Sequence, residues 1–156
     1  MEILCLDVGT VESAYVLMNE EYKPLEFGKI TNQELLKKVK ELNYSVLVYE
    51  EFQCYGMPIG ESTIKSITWN GRYIQVAVDK NIPVFPIYRA EEKMNLCYSM
   101  KAKDSNIRQA LIDRFGEVGT KKNPGFFYGF KKDIWAAFAV GVTYLDKKKR
   151  EKENVE

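Results

Sequence analysis

Three short runs rich in β-forming residues open the chain, with very little sequence between them. They span Ile3 to Asp7, Ala14 to Met18 and Pro24 to Ile30. Gly9–Thr10 separates the first two runs, and Asn19–Glu20–Glu21 separates the second from the third. Connections this short join neighbouring antiparallel strands, because a parallel crossover needs a dozen or more residues. The start of the chain is therefore predicted to be a three-stranded antiparallel meander.

The rest of the chain alternates between helical and strand patterns. Val46 to Tyr49 is apolar throughout, which is typical of a strand buried on both faces in the middle of a sheet. We therefore predict an α/β fold with a mixed five-stranded sheet, three antiparallel strands followed by parallel strands, flanked by helices. After the meander, the predicted elements are a helix over Thr31 to Leu42, the strand Val46 to Tyr49, a helix over Gly60 to Asp79, a strand over Ile82 to Tyr88, two helical pieces within 89–115 divided near Ser99 to Asp104, a loop over 116–132, and a last helix from Asp133 through Tyr144.

The chain length fits one domain. The sequence has 156 residues, and its apolar runs are far shorter than the roughly 18 residues that a membrane span needs. We predict a single domain over residues 1–146 and a basic, polar tail over residues 147–156. Met1 to Leu4 enters an apolar run without a basic leader or a cleavage site, so we expect a cytoplasmic protein with no membrane partner.

The sequence contains no histidine. This excludes a Ser-His-Asp or Cys-His mechanism and a His-ligated zinc site. Cys5, Cys54 and Cys97 are widely spaced and odd in number, so they indicate neither a disulfide framework nor a CxxC site. Any catalytic metal must therefore be held by oxygen.

Three carboxylates stand at the ends of predicted buried elements. Asp7 ends the first strand, Glu50 follows the central strand, and Asp133 opens the last helix. Each could simply serve a turn or cap a helix. Together they can converge at one edge of the sheet, where clustered anions need a cation, and Mg²⁺ is the natural partner of hard oxygen ligands.

Three blocks of the sequence resemble the RuvC family of Holliday junction resolvases, which belongs to the RNase H-like nucleases. The first block is Ile3 to Thr10 followed by Ala14 to Leu17, the second is Val48 to Glu50, and the third is Asp133 to Thr143. The resemblance implies an RNase H-like fold and a homodimer. It also implies cleavage of branched DNA by two-metal, magnesium-dependent phosphodiester hydrolysis, with Asp7, Glu50 and Asp133 as metal ligands and catalytic residues. Mn²⁺ is expected to substitute for Mg²⁺, and no nucleotide cofactor is needed.

The sequence departs from the family pattern at two places. Ala136 stands where the family has a second aspartate on the last helix, and Glu51–Phe52–Gln53 replaces the usual motif after the second acidic residue. Such a compact, divergent chain resembles a bacteriophage member, for which forks and three-way junctions are expected substrates beside four-way junctions. Glu51 is a candidate for a fourth ligand. Consecutive strand side chains point to opposite faces, however, so only one of the two glutamates is expected to face Asp7.

Positive charge concentrates in the later part of the chain. Residues 1–62 carry 5 basic and 11 acidic side chains, whereas residues 63–156 carry 18 and 11. A polyanion would therefore meet the second part, where lysines could bind phosphates, while Phe52 and Tyr55 could stack on unpaired bases. The predicted DNA-binding lysines are Lys101, Lys103, Lys121, Lys122, Lys131 and Lys132.

A homodimer is predicted to use the Gly60–Asp79 helix, with Trp69, Tyr73 and Ile74 as exposed apolar candidates.

Two other functions remain open from the sequence. Ala136 suggests a catalytically inactive module that only binds junctions. Asp7–Val8–Gly9–Thr10 also matches the first phosphate motif of the actin, Hsp70 and sugar-kinase phosphotransferases, although no second phosphate loop is evident.

Overall fold

A computed structural model describes residues 1–155 and contains one five-stranded sheet with helices on both faces. The sheet order is β3-β2-β1-β4-β5. The first three strands form the predicted antiparallel meander, and β4 and β5 add parallel to β1. The predicted mixed α/β fold is therefore confirmed. The elements are β1 (Glu2–Asp7), β2 (Glu12–Asn19), β3 (Pro24–Thr31), α1 (Asn32–Glu41), β4 (Val46–Glu51), α2 (Glu61–Asp79), β5 (Val84–Tyr88), α3 (Arg89–Cys97), α4 (Asp104–Phe115) and α5 (Ile134–Val155).

Two apolar cores lie on opposite faces of the sheet. Residues Leu4 and Leu6 of β1 pack against α1 and α2, whereas Ile3 and Cys5 pack against α5 and its neighbours. This division follows from the alternation of side chains along a strand. The central strands are buried on both faces, as their continuous apolar runs predict.

The last helix lies directly on the sheet. A Cβ atom at Gly141 would overlap the sulfur atoms of Cys5 and Met18, so glycine is what allows α5 to approach this closely. The sequence predicts a polar tail from residue 147, but α5 continues to Val155. Two contacts to α3 hold this extension: Lys147 Nζ lies 3.0 Å from Glu91 Oε1, and Arg150 Nη1 donates to Asn95 Oδ1 at 2.7 Å. No helix within residues 1–155 combines the length and apolar character needed to cross a membrane.

The prediction of an exposed Tyr73 on α2 is wrong. Tyr73 is fully buried and its hydroxyl donates to the Asn32 carbonyl at 3.0 Å, so it belongs to the core between α2 and the sheet. Trp69 and Ile74 are partly buried against the same core. The exposed apolar side chains on the first half of α2 are instead Ile64 and Ile67.

Candidate active site

Asp7 and Glu50 are neighbours at the carboxyl ends of two adjacent parallel strands. Leu6 of β1 pairs with Tyr49 of β4, and Asp7 and Glu50 are the next residues of this strand pair. By strand alternation their side chains leave the sheet on the face of Cys5, which α5 covers. The sheet therefore brings together the first two predicted ligands.

The surroundings of Asp7 raise its pKa to about 7. Burial is the largest cause, and the negative charges of Glu50 and Asp133 add to it. Arg89 and Lys29 act in the opposite direction without cancelling these effects. Carboxylates that oppose each other's ionisation in this way are stabilised by a bound cation.

A buried polar network fixes the turn that follows Asp7. Asn32 Nδ2 donates to the Gly9 carbonyl at 3.0 Å, and the Gly9 N–H donates to Ser13 Oγ at 3.0 Å. The Tyr73 hydroxyl also donates to Asn32 Oδ1 at 3.0 Å. Because this network joins the turn to α1 and α2, the backbone that carries Asp7 is held on two sides.

Asp133 approaches the site from α5 but is bound by a strand. It lies immediately before α5, and its Oδ2 is 2.7 Å from Lys29 Nζ of β3. Lys29 pairs with Ala14 of β2, which in turn pairs with Asp7. Asp7, Ala14 and Lys29 thus form one row of cross-strand neighbours, and Asp133 is connected to this row through its ion pair with Lys29.

Glu51 is occupied by local hydrogen bonds. Its Oε2 accepts from the Tyr49 hydroxyl at 2.9 Å, and its Oε1 accepts from the Phe52 N–H at 3.1 Å. It follows the alternation of β4 and shares a face with Tyr49, opposite to that of Glu50. The two consecutive glutamates therefore leave β4 on opposite faces, although both border the same cleft as Asp7.

Two charged residues at the start of α3 join the site, and neither is among the residues predicted from the sequence. Arg89 Nη1 lies 3.9 Å from Glu50 Oε1 and 3.7 Å from Glu92 Oε1, and Arg89 Nη2 contacts Asp104. Glu92 is completely buried. Burial chiefly, and then the adjacent Glu50 carboxylate, raise the pKa of Glu92 far above its usual value. Only their position directly after β5, the strand beside β4, could have indicated them, and that signal does not distinguish Glu92 from Glu91.

A cleft of about 400 Å³ opens beside the two strand-end carboxylates. Asp7 and Glu50 line it together with Phe52, Tyr55 and Arg89. Phe52 is 41% exposed and Tyr55 is 74% exposed, so both predicted stacking residues present their rings to solvent at its rim.

The six predicted DNA-binding lysines are all exposed. Lys101 and Lys103 precede α4, whose first residue Asp104 contacts Arg89. Lys132 lines a small cleft with Asp133 and Arg108. The remaining lysines of the set are Lys121, Lys122 and Lys131.

The carboxylate oxygens of Asp7, Glu50 and Asp133 are the kind of ligand that a hard divalent ion prefers, but in this structure they do not surround a common point. Within residues 1–155, no three acidic or cysteine side chains converge closely enough to hold a metal. Glu50 Oε1 is nevertheless buried and receives no hydrogen bond from the described residues. The positive groups of Arg89 and Lys29 lie against the acidic side chains. Carboxylate oxygens are suited to Mg²⁺ or Mn²⁺, and metal binding here requires the side chains of Arg89 and Lys29 to move away from them.

The sequence matches no protein-family model and no curated protein. Solved structures are similar in fold. Thermus thermophilus RuvC superposes with a TM-score of 0.72 at 14% identity, covering 96% of both chains. T. thermophilus RuvC in complex with Holliday junction substrate gives 0.68 at 13% identity, with 96% of both chains covered. The yeast mitochondrial Holliday junction resolvase gives 0.67 at 12% identity, covering 97% of this chain and 80% of that one. The chain therefore has the RNase H-like fold of these resolvases.

Proposed function

We propose that this protein is a structure-selective endonuclease that cleaves branched DNA by magnesium-dependent phosphodiester hydrolysis. The observation that carries the proposal is the pairing of Asp7 and Glu50 at the ends of adjacent parallel strands, in a fold shared with solved Holliday junction resolvases. One of those resolvases was solved with a Holliday junction substrate. Four-way junctions are the proposed substrates, together with forks and three-way junctions.

The proposed metal ligands are Asp7, Glu50 and Asp133. When bound, divalent ions supply positive charge against the scissile phosphate and lower the pKa of the attacking water. The side chains of this protein would hold and orient that charge: the strand ends position Asp7 and Glu50, and the network around Asn32 connects the turn after Asp7 to α1 and α2. No protein nucleophile is required.

The surroundings of the carboxylates suit a branched nucleic acid. Lys101 and Lys103 on one side and Lys132 on the other would bind phosphates without reading base identity. Phe52 and Tyr55 at the rim of the cleft could stack on bases that are unpaired at a branch point. Tyr55 has a φ of 50° and is followed by Gly56 with a φ of 77°, so a tight turn holds this ring outward.

A C2 dimer would present two such sites to the two symmetric strands of a junction. Ile64 and Ile67 on the first half of α2 are exposed apolar side chains that are available for this contact. Sedimentation velocity at micromolar concentration checks it, since the dimer predicts twice the monomer mass and Ile64→Glu, a change outside the cleft lining, should give the monomer. A wild-type monomer during cleavage would contradict it.

A junction-binding protein without catalysis is the second candidate. Two observations favour it: Ala136 provides no carboxylate on α5, and no three acidic side chains of the described residues converge on one point. One experiment separates the candidates. Labelled duplex, fork, three-way and four-way substrates of matched sequence are incubated with and without Mg²⁺. Cleavage of branched substrates only with Mg²⁺ is expected of the enzyme, whereas retained binding without any product supports the second candidate.

A further inference from the structure

Glu92 is an unusual residue for the interior of this protein. Its side chain has no exposed surface, and neither carboxylate oxygen accepts a hydrogen bond from any described residue. An ionised or polar group in this situation costs folding free energy unless a partner compensates for it. Among residues 1–155, the Arg89 guanidinium is the one cation within 4 Å of this carboxyl group, and its distance of 3.7 Å from Glu92 Oε1 is too long for a hydrogen bond.

The buried carboxylate faces the candidate site. The same Arg89 nitrogen is 3.9 Å from Glu50 Oε1, which is also buried and accepts no hydrogen bond from the described residues. One oxygen of each side chain thus lies within 4 Å of the same guanidinium nitrogen, and neither oxygen accepts a hydrogen bond from the described residues. This arrangement results from the topology: β5 pairs with β4 beside Glu50, and α3 begins directly after β5.

We propose that Glu92 is a ligand of the divalent metal site, supplying from α3 the carboxylate that α5 lacks at Ala136. This inference rests on the proposed function. While no metal is bound, Arg89 is the cation beside Glu50 and Glu92, at distances too long for a hydrogen bond. Its third acidic neighbour is Asp104 at the start of α4, which its Nη2 contacts. Asp104 is 92% exposed, so that pair can adjust without disturbing the core.

A purely structural role for Glu92 makes the opposite prediction for stability. If the contact with Arg89 stabilises the fold, then replacing the Glu92 carboxyl group with an amide lowers the melting temperature in the absence of metal. If Glu92 is buried for metal binding, then this replacement leaves the metal-free protein at least as stable as the wild type, because a buried carboxyl group without a hydrogen-bond partner does not stabilise the fold.

The experiment measures Mn²⁺ binding alone, without DNA. Free Mn²⁺ is followed by electron paramagnetic resonance during titration, and melting temperatures are recorded in EDTA. Glu92→Gln is compared with Glu91→Gln, a matched change one residue away that keeps the contact of Glu91 to the Tyr88 N–H. Asp7→Asn is the reference for a lost ligand. Glu92→Met, an apolar side chain of similar length, tests whether a buried amide by itself disturbs the fold.

We expect Glu92→Gln and Asp7→Asn each to weaken Mn²⁺ binding by at least about tenfold, since even residues behind the metal ligands contribute that much. Glu91→Gln should bind like the wild type, and neither Glu92 variant should melt lower in EDTA. Wild-type Mn²⁺ affinity in Glu92→Gln, with a loss in Asp7→Asn, would overturn this inference and leave the proposed function standing. A lower melting temperature of both Glu92 variants in EDTA would show that Glu92 stabilises the fold, and it would also overturn this inference. No Mn²⁺ binding by the wild type would overturn both proposals.

Discussion

Lys29 Nζ lies 2.7 Å from Asp133 Oδ2, so the carboxylate at the start of α5 is bound to the opposite end of the row of residues that contains Asp7. A cation already bound to Asp133 competes with any metal ion for the same oxygens. The pair is partly exposed, with 30% and 52% of the two side chains accessible, which limits the strength of this competition.

We therefore predict that Lys29→Met strengthens Mn²⁺ binding, by up to about fivefold, the equivalent of about 1 kcal/mol for a pair at the surface. Isothermal titration in low salt measures the change. Lys38→Met is the matched control, because Lys38 forms a similar surface pair at 2.8 Å with Glu26, which is not one of the proposed metal ligands. Equal Mn²⁺ affinity in the wild type and Lys29→Met would show that Asp133 is not drawn away from the metal by Lys29.

Asp7→Asn and Asp133→Asn should each reduce cleavage by at least about a hundredfold, while binding of branched DNA is unchanged or tighter. The reason is that each change removes a proposed metal ligand and also a negative charge that repels phosphate. Gel-shift and cleavage assays on the same four-way junction separate the two effects. If either variant cleaves like the wild type, then its aspartate does not belong to the site.

Glu50→Gln and Glu51→Gln should differ, although the two residues are consecutive. Glu50 faces the side of Asp7, whereas Glu51 accepts hydrogen bonds from the Tyr49 hydroxyl and the Phe52 N–H. We expect Glu50→Gln to lose Mg²⁺-dependent cleavage and Glu51→Gln to retain most of it. Single-turnover cleavage rates at saturating protein provide the comparison, and equal loss in two folded variants would make Glu51 a ligand.

Replacing both Lys121 and Lys122 with glutamine should weaken binding of all branched substrates to a similar extent. Each phosphate contact contributes about 0.9 to the slope of log K against log salt, so the slope should decrease in magnitude by about 1 to 2. Fluorescence anisotropy between 50 and 200 mM salt measures this, and Lys23→Gln/Lys37→Gln on the acidic part of the chain is the control. An unchanged slope would show that Lys121 and Lys122 are solvated and make no phosphate contacts.

Asp146 is expected to stabilise the fold independently of the candidate site. Its carboxylate accepts from both Arg114 guanidinium nitrogens at 2.7 and 2.8 Å, and also from Tyr22 and Asn95. Asp146→Asn should lower the free energy of unfolding by about 1 to 3 kcal/mol, less than for a fully buried pair because Arg114 is 40% exposed. Urea denaturation measures it, with Asp113→Asn as an exposed control on α4.

The contribution of Asp146 should depend on acid pH. Burial opposes its ionisation, but the hydrogen bonds from Arg114, Tyr22 and Asn95 outweigh burial and lower the pKa of the carboxyl. A carboxyl with a lower pKa in the folded state contributes stability above its unfolded value of about 3.9, and loses it as the pH falls through the folded value. The difference between wild type and Asp146→Asn should therefore be complete at pH 7 and shrink below about pH 4. A difference that persists unchanged at pH 2.5 would contradict this.

Much of the fold could be predicted because its signals are local. The short connections around Gly9 and Asn19 specify the meander, and the apolar run from Val46 specifies a central strand. Two features depend on tertiary contacts instead. The buried Tyr73 hydroxyl has a partner on α1, and the helix beyond residue 146 is bound to α3 through Lys147 and Arg150.

The candidate site could be predicted only where it lies on strands. Asp7 and Glu50 are brought together by the register of β1 and β4, which the order of the elements already indicates. Glu92 could not be found in this way, since a glutamate in the first turn of a helix normally serves the helix dipole or a cap. Its burial, and its direction toward Glu50, depend on how α3 packs against the sheet.

The contact of Gly141 with Cys5 and Met18 also determines the rotational setting of α5. Turning the helix by one residue, about 100°, would drive a side chain into those sulfur atoms. Ala136 lies on α5 and Asp133 immediately precedes it, so the position of both residues depends on a glycine in the core. A bulkier residue at Gly141 would push the helix away and misdirect Asp133 without altering any acidic residue.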